Sequence, residues 1–216
     1  MCPDNGPDSA AHQHFAIILA AGFSTRMGVC KTTLPWHNHQ TLLRYQTEQF
    51  LQAGITPVVV LGCHNAHRQE DCAVGTDVVV KVKGDDSKAG SILAGLSRLP
   101  KTVSTITISA VDQPRSASIY TALLRAYQQQ KAPITAPCYH GKLGHPVMFS
   151  CGLRSELENI SDESLGLRQV IQSAYAEINL VVFSRPEVLI DINDESTYQL
   201  HQCCLDCQSL TTAKPH

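Results

Sequence analysis

Seven short runs rich in valine and isoleucine limit the folds open to this chain more than any other feature. Most of them are apolar throughout rather than alternating, which is typical of parallel strands covered by helices on both faces. The predicted strands are Phe15–Ala20, Pro57–Leu61, Val78–Val82, Thr105–Val111, Ile134–Pro137, Ile178–Phe183 and Val188–Ile192. The pattern therefore favours a sheet that is buried between two layers of helices.

Helical segments are predicted between these strands and after the last of them. They are Gln40–Ala53, Ser87–Leu99, Ser116–Gln130, Leu165–Ala174 and Asp194–Leu205. Gly54 and Pro100 follow the first two of these helices directly and act as stop signals. Alternating strands and helices predict an α/β fold, a single-domain three-layer Rossmann-like sandwich with a mostly parallel sheet.

Length and composition are consistent with one domain and exclude several kinds of partner. We expect the 216 residues to comprise a flexible lead-in (1–13), a folded domain (14–202) and a cysteine-containing tail (203–216). A formal net charge of −2, without a long run of one sign, predicts no nucleic-acid or membrane surface. No apolar stretch approaches the roughly 20 residues of a membrane span, and a secretory signal is not recognisable. We therefore expect a cytoplasmic protein.

The loop after the first predicted strand combines glycines, hydroxyls and cations. In open α/β sheets ligands bind outside the carboxyl ends of the strands, where this loop lies. Gly22 and Gly28 let the backbone approach a ligand, and Ser24 adds a hydroxyl. Arg26 and Lys31 are two cations that can neutralise a triphosphate. The loop is not a Walker A motif, in which lysine directly follows the second glycine. The alternative is an ordinary glycine turn followed by a solvated arginine and lysine.

A carboxylate follows the central predicted strand in the sequence Val111-Asp112-Gln113-Pro114. Asp112 is well placed to hold Mg²⁺ against a phosphate, with water completing the coordination. The alternative is that Asp112 is the N-cap of the following helix.

The stretch from Leu19 to Trp36, which reads L-A-A-G-x-S-x-R-M-G-x-x-K-x-x-L-P-W, resembles the signature of the MobA-like nucleotidyltransferases. Within them it is most similar to the molybdenum cofactor cytidylyltransferases, and the resemblance runs from about Phe15 to about Leu200. It implies a fold like that of nucleotide-diphospho-sugar transferases and phosphate-binding, catalytic roles for Arg26 and Lys31. The implied nucleotide-binding set is Leu19, Ala20, Ala21, Gly22, Ser24, Arg26, Lys31, Leu61, Gly62, Ser91 and Asp112.

The same resemblance implies a metal site and an acceptor site. Asp112 matches the metal-binding Asp-x-Pro of the family, and Asp191 matches its second metal ligand, with Asn193 as the other candidate at that site. If Asp112 and Asp191 share one Mg²⁺, both should end strands at the same edge of the sheet. Repulsion between the two carboxylates would then make Asp112→Asn or Asp191→Asn neutral or mildly stabilising in the protein without metal. The implied acceptor-binding residues are Gly144, His145, Pro146 and Arg168.

The activity implied by the resemblance is Mg²⁺-dependent transfer of CMP from CTP to the phosphate of molybdopterin, with release of pyrophosphate. It also implies a molybdenum hydroxylase apo-enzyme as a partner. The Ala-Ala-Gly form at Ala20–Gly22 indicates the CTP-using branch, whereas Ala-Gly-Gly would indicate the GTP-using one. Ser87–Ile92 departs from the family pattern Gly-Met-Ser-Ser-Ser-Leu. The alternatives are a guanylyltransferase or sugar-phosphate nucleotidyltransferase of the same fold, or a nucleotide-binding chaperone of a molybdenum enzyme without catalysis.

Overall fold

A computed structural model describes residues 13–82 and 87–202 of the chain. The strands are β1 His14–Leu19, β2 Thr56–Leu61, β3 Asp77–Val80, β4 Thr105–Ala110, β5 Ile134–Tyr139, β6 Lys142–Leu143, β7 Val147–Ser150 and β8 Ile178–Val182. The α-helices are α1 Leu42–Gln52, α2 Lys88–Leu96, α3 Ala117–Gln130, α4 Arg154–Glu158, α5 Leu167–Ser173 and α6 at residues 195–202. The predicted lead-in (1–13, apart from Gln13) and the tail (203–216) lie outside the described residues.

One mixed sheet forms the centre of the molecule, in the order β3-β2-β1-β4-β7-β5-β6, with β8 paired to β5. The four strands from β3 to β4 are parallel, and β8 is parallel to β5. The short β7 runs antiparallel to both β4 and β5 and joins the two parallel parts. The carboxyl ends of β1 and β4 lie side by side because Leu19 is in register with Ala110.

The sheet has a hydrophobic core on each face, as the apolar strands predict. One core joins the sheet to α1 and α3 through residues such as Phe50 and Tyr120, whose rings stack at 3.8 Å. The other joins it to α2, α4 and α5 through residues such as Ile92, Leu157 and Val170. The predicted three-layer α/β architecture is therefore confirmed. No helix among the described residues is long and apolar enough to cross a membrane.

Two parts of the sheet differ from the prediction. Val188–Ile192 is not a strand: a short 3₁₀ helix covers Pro186–Leu189, and extended chain follows without joining the sheet. Conversely, β6 and β7 were not predicted as strands. They follow a tight turn at His140 and Gly141, both with positive φ (47° and 75°). Strands of two and four residues are too short to show an apolar pattern of their own.

Candidate active site

A pocket of about 180 Å³ lies at the carboxyl ends of β1 and β4. Its walls are Leu19, Ala20, Gly22, residues 24–26, residues 30–32, residues 110–112 and Asn193. The parallel pairing of β1 with β4 brings the glycine loop beside the carboxylate that follows β4. This is the place where open α/β sheets bind ligands.

The glycine loop is shaped by two residues in the left-handed region. Gly28 has φ of 68°, and Ser24 adopts φ of 53° although it carries a Cβ. The carbonyl of Ser24 accepts a bond from the N–H of Met27 at 3.0 Å, and its hydroxyl accepts one from the N–H of Lys31 at 3.2 Å. Ser24 therefore holds the loop in a turn that carries Lys31 back over the end of β4.

Lys31 and Asp112 form an ion pair in the pocket. The lysine Nζ lies 2.7 Å from Oδ2 of Asp112, with side-chain exposures of 12% and 19%. The amide oxygen of Asn193 lies 3.5 Å from the same Nζ. Two oxygen atoms, 81 and 162 residues away from Lys31 in sequence, thus converge on one positive charge.

The backbone around Asp112 is fixed from both sides. The buried amide of Gln46 on α1 donates to the carbonyls of Ala110 and Val111, at 3.0 and 3.3 Å. The carbonyl of Asp112 accepts a bond from the N–H of Ile192 at 2.9 Å. Asp112 is not the N-cap of α3, because that position belongs to Ser116.

The two candidates for a second metal ligand lie in different places. Asn193 lines the pocket, whereas Asp191 is exposed and is not among the pocket residues. Asp191 does not end a strand, contrary to our expectation, because residues 190–193 belong to no strand of the sheet. Asp194 caps α6 by accepting a bond from the N–H of Thr197 at 2.8 Å. The pKa of Asp194 is lowered to about 2, mainly by the hydrogen bond from the hydroxyl of Ser196 and then by the bonds from Thr197.

The oxygen donors in the pocket fit a magnesium ion that is shared with a ligand. Within residues 13–82 and 87–202 no three His, Cys, Asp or Glu side chains cluster as a ready-made metal site. Mg²⁺ is commonly bound by one or two carboxylates together with substrate phosphates and water. Asp112 and Asn193 already place two oxygens around a single cationic group, the Lys31 ammonium. Phosphates and water would complete a site of this kind.

His145 is half-buried beside this edge of the sheet, and its backbone N–H donates to the carbonyl of Val188 at 2.9 Å. Its pKa is lowered, first by burial and then by the nearby cations Arg115 and Lys88, while Asp191 and Asp112 act in the opposite direction. The imidazole is therefore within electrostatic range of both carboxylates.

Glycine at 144 has a steric cause. A Cβ there would overlap the carbonyl oxygen of Val188, so that no other residue fits this approach of the two segments. The N–H of Gly144 also donates to the carbonyl of Pro137 at 2.8 Å. Pro146, which also belongs to the predicted acceptor set, is buried.

Several residues of the predicted nucleotide and acceptor sets lie outside the 180 Å³ pocket. Leu61 is fully buried in the core, and Ser91 is buried next to Lys81, whose Nζ donates to its hydroxyl at 3.0 Å. Arg168 is exposed and lines a separate cavity of about 280 Å³ together with Lys88 and others. Ala21 and Gly62 are also absent from the pocket wall.

Asn65 is a residue that the sequence did not single out. Its side chain is buried, donates to the carbonyl of Ala20 at 2.9 Å and accepts from the N–H of Gly62 at 2.8 Å. It thereby joins the start of the glycine loop to the end of β2. No periodicity or motif marks this asparagine, and only the contact between the two strand ends reveals its role.

A second cavity of about 740 Å³ is larger than the pocket at β1 and β4. Its walls include Trp36, Tyr45, Arg115, Arg185 and Ile190, and it shares no residue with the smaller pocket. We place the candidate active site in the smaller pocket because the loop cations and the carboxylate meet there.

Solved structures with the same fold span almost the whole chain. Rv0371c from Mycobacterium tuberculosis H37Rv is 24% identical with a TM-score of 0.75, and the alignment covers 89% of this chain and 98% of that one. A complex of Rv0371C with manganese from the same organism is 23% identical with a TM-score of 0.71, and the alignment covers 89% of this chain and 98% of that one. A nucleotidyl transferase from Methanothermobacter thermautotroptrophicus (Mth528) is 21% identical with a TM-score of 0.75, and the alignment covers 91% of this chain and 99% of that one. At these identities the likeness concerns the fold.

Sequence comparison is more specific. No curated protein matches the sequence. Residues 16–178, however, match the MobA-like NTP transferase domain, and this range contains the glycine loop, Asp112 and the Gly144–Pro146 segment. The match covers well over half of the 216 residues. The chain therefore belongs to the family of MobA-like NTP transferase domains, and it is a nucleotidyltransferase of that kind.

Proposed function

We propose that this protein transfers CMP from CTP to the phosphate of a molybdopterin-type acceptor in the cytoplasm, with Mg²⁺ as cofactor. The acceptor oxygen attacks the α-phosphorus, a new phosphoanhydride bond forms, and the bond to the β-phosphate breaks to release pyrophosphate. A molybdenum hydroxylase apo-enzyme is the proposed recipient of the product.

One observation carries the proposal: the ammonium of Lys31 is held between Asp112 and Asn193 at the mouth of the glycine loop. If Lys31 served only to neutralise the carboxylate of Asp112, the turn at Ser24 that brings Lys31 back to the end of β4 would not be needed. Here the loop also presents Arg26 on the wall of the same pocket. Two cations and one carboxylate within a small pocket suit a triphosphate with its metal ion.

In this proposal the roles are divided between the two halves of the site. Leu19, Ala20, Gly22 and Ser24, which line the pocket, bind the nucleotide, and Gly144–Pro146 and Arg168 bind the acceptor. Arg26 and Lys31 stabilise the charge that develops on the transferred phosphate. Asp112 would hold Mg²⁺ together with Asp191 or Asn193, and the bound ion would supply positive charge to the phosphates.

The nucleophile in this reaction does not require a general base. A phosphate monoester has a second pKa of about 6 and is largely dianionic at neutral pH. Orientation of the two substrates and electrostatic stabilisation are then the main contributions to the rate. This requirement agrees with a site that contains cations and metal-binding oxygens.

The test begins with binding. Unfolding temperatures are measured with CTP, GTP, UTP and ATP, each with and without Mg²⁺. A ligand at about one hundred times its Kd stabilises by about 2.7 kcal/mol, which corresponds to roughly 5–10 °C for a chain of this size. We expect the largest shift with CTP and Mg²⁺. A larger shift with GTP would contradict the cytidylyl assignment and favour a guanylyltransferase.

Turnover is then measured as pyrophosphate release, with molybdopterin and with a hexose phosphate as acceptors. Arg26→Gln should lower the rate with molybdopterin by about a hundredfold, whereas Arg125→Gln, the same change at an exposed position of α3, should not. Release with the sugar phosphate alone would identify a sugar-phosphate nucleotidyltransferase. Nucleotide binding without any release would identify a binding protein without catalysis.

A further inference from the structure

Arg115 is an almost completely buried arginine that lies three residues beyond Asp112, and its side chain is 2% exposed. Its Nε donates to the carbonyl of His145 at 3.0 Å, and Nη1 donates to that of Pro114 at 2.8 Å. Its Nη2 donates to the carbonyls of Val188 and Ile190, at 2.9 and 2.7 Å. One guanidinium therefore binds four backbone carbonyls.

These carbonyls belong to three separate parts of the chain: the Asp112–Arg115 turn, the Gly144–Pro146 segment and the stretch after residue 187. The last two parts meet here outside any sheet ladder. Besides Arg115, the N–H of His145 joins the second part to the third by donating to Val188, and the N–H of Ile192 joins the third part to the first by donating to Asp112. The guanidinium is thus the point at which the three parts are tied together.

The chemistry of the Arg115 side chain indicates that its role is to hold these three parts of the chain together. Within the described parts of the chain, no Asp or Glu forms an ion pair with Arg115. Burial lowers its pKa to about 10, and Tyr120, Asp191, Glu187 and Asp112 oppose this effect only in part, so the group is charged at neutral pH. A buried charge without a direct ion pair is costly, and an apolar side chain would fill the same space at lower cost. A planar guanidinium with five donors is the one side chain that has enough donors to bind four carbonyls at once.

We infer that Arg115 is a positioning residue, which fixes the acceptor-side segments (Gly144–Pro146 and residues 188–193) relative to Asp112. The inference rests on the proposed function for its catalytic meaning, since the first segment carries three of the predicted acceptor residues and the second carries both candidates for the second metal ligand. That Arg115 holds the two segments in place relative to Asp112 does not depend on the proposed function. The competing explanation is that Arg115 acts only as a positive charge near the carboxylates of Asp112 and Asp191.

Hydrogen–deuterium exchange tests whether Arg115 holds the two segments in place. The variants are Arg115→Lys, which keeps the charge but not the fork, and Arg115→Gln, with Arg125→Gln as the exposed control. In both Arg115 variants, the amides of His145 and Ile192 should exchange about tenfold faster or more, because bonds from a charged donor are lost. The amides of β1 should keep their protection. Unchanged exchange at His145 and Ile192 in Arg115→Lys would overturn the inference, and so would global unfolding, which would give Arg115 a role in the whole fold.

The affinity of each variant for Mn²⁺, titrated by calorimetry into the protein already bound to CTP, distinguishes a role in positioning from a role as a charge. Removing a nearby positive charge should by itself tighten cation binding in Arg115→Gln and leave Arg115→Lys unchanged. Loss of position should instead weaken binding in both variants, by about tenfold where a metal ligand is displaced. Wild-type affinity in Arg115→Lys would therefore refute the positioning role. If the wild-type protein binds no CTP, the proposed function fails, whereas the exchange experiment still decides the role of Arg115.

Discussion

Replacing Lys31 by Met removes the ammonium from the candidate site but keeps most of the aliphatic side chain. In the structure this ammonium is the cation that faces Asp112, at 2.7 Å. We therefore expect two effects of opposite kind. The protein without metal should become less stable, and a divalent ion should restore more stability to the variant than it gives to the wild type.

The expected magnitude follows from the distance and the partial burial of the pair. At 2.7 Å and an effective dielectric constant of about 20, the gross attraction is roughly 6 kcal/mol, most of which desolvation offsets. Exposed pairs contribute about 0–1 kcal/mol, and losing one partner of a fully buried pair costs about 3–5 kcal/mol. With exposures of 12% and 19%, we expect about 1–2 kcal/mol, or roughly 2–8 °C in Tm.

The assay is urea unfolding of Lys31→Met, Asp112→Asn and the double variant, each with and without MnCl₂. Lys101→Met, at an exposed position, is the matched control. Asp112→Asn should destabilise the wild type but hardly affect the Lys31→Met protein. This reverses the expectation of a neutral or stabilising substitution, because a lysine compensates the carboxylate. A coupling energy below about 0.5 kcal/mol would refute the reasoning, since contacting charges normally couple by more.

The remaining predictions concern the metal and the acceptor side. If Asn193 rather than Asp191 is the second metal ligand, Asn193→Ala should lower Mg²⁺-dependent pyrophosphate release by about tenfold or more, while Asp191→Asn should keep it; the reverse result would assign the role to Asp191. His145→Ala should raise the KM for the acceptor more than the Kd of the nucleotide measured by calorimetry, and an equal loss in both would contradict this division. Gly144→Ala should cost about 1–3 kcal/mol in urea unfolding, because its Cβ would overlap the carbonyl oxygen of Val188; wild-type stability would show that the two segments separate easily.

Much of the fold followed from local sequence signals. The apolar strands on the central part of the sheet were predicted within one or two residues, since a strand covered on both faces must be apolar along its length. The helix starts were also well marked: Thr41 and Ser87 accept bonds from the N–H groups of Arg44 and Gly90, as N-cap residues do.

The failures have a common physical reason. Val188–Ile192 is as apolar as a strand, but a 3₁₀ turn and the carbonyl bonds of Arg115 hold it against the site instead of the sheet. Apolar character reports burial, and it does not specify which hydrogen-bond partners the backbone finds. The same limit applies to the short strands β6 and β7.

The sequence by itself determined the α/β architecture, the family and the loop that carries Arg26 and Lys31, because each of these depends on residues that are near one another in the chain. Only the tertiary structure decided that Lys31 pairs with Asp112, that Asn193 rather than Asp191 lines the pocket, and that Arg115 ties three segments together. These contacts join residues that are 30 to 162 positions apart. Such contacts depend on strand order and loop direction, which no local pattern of residues encodes.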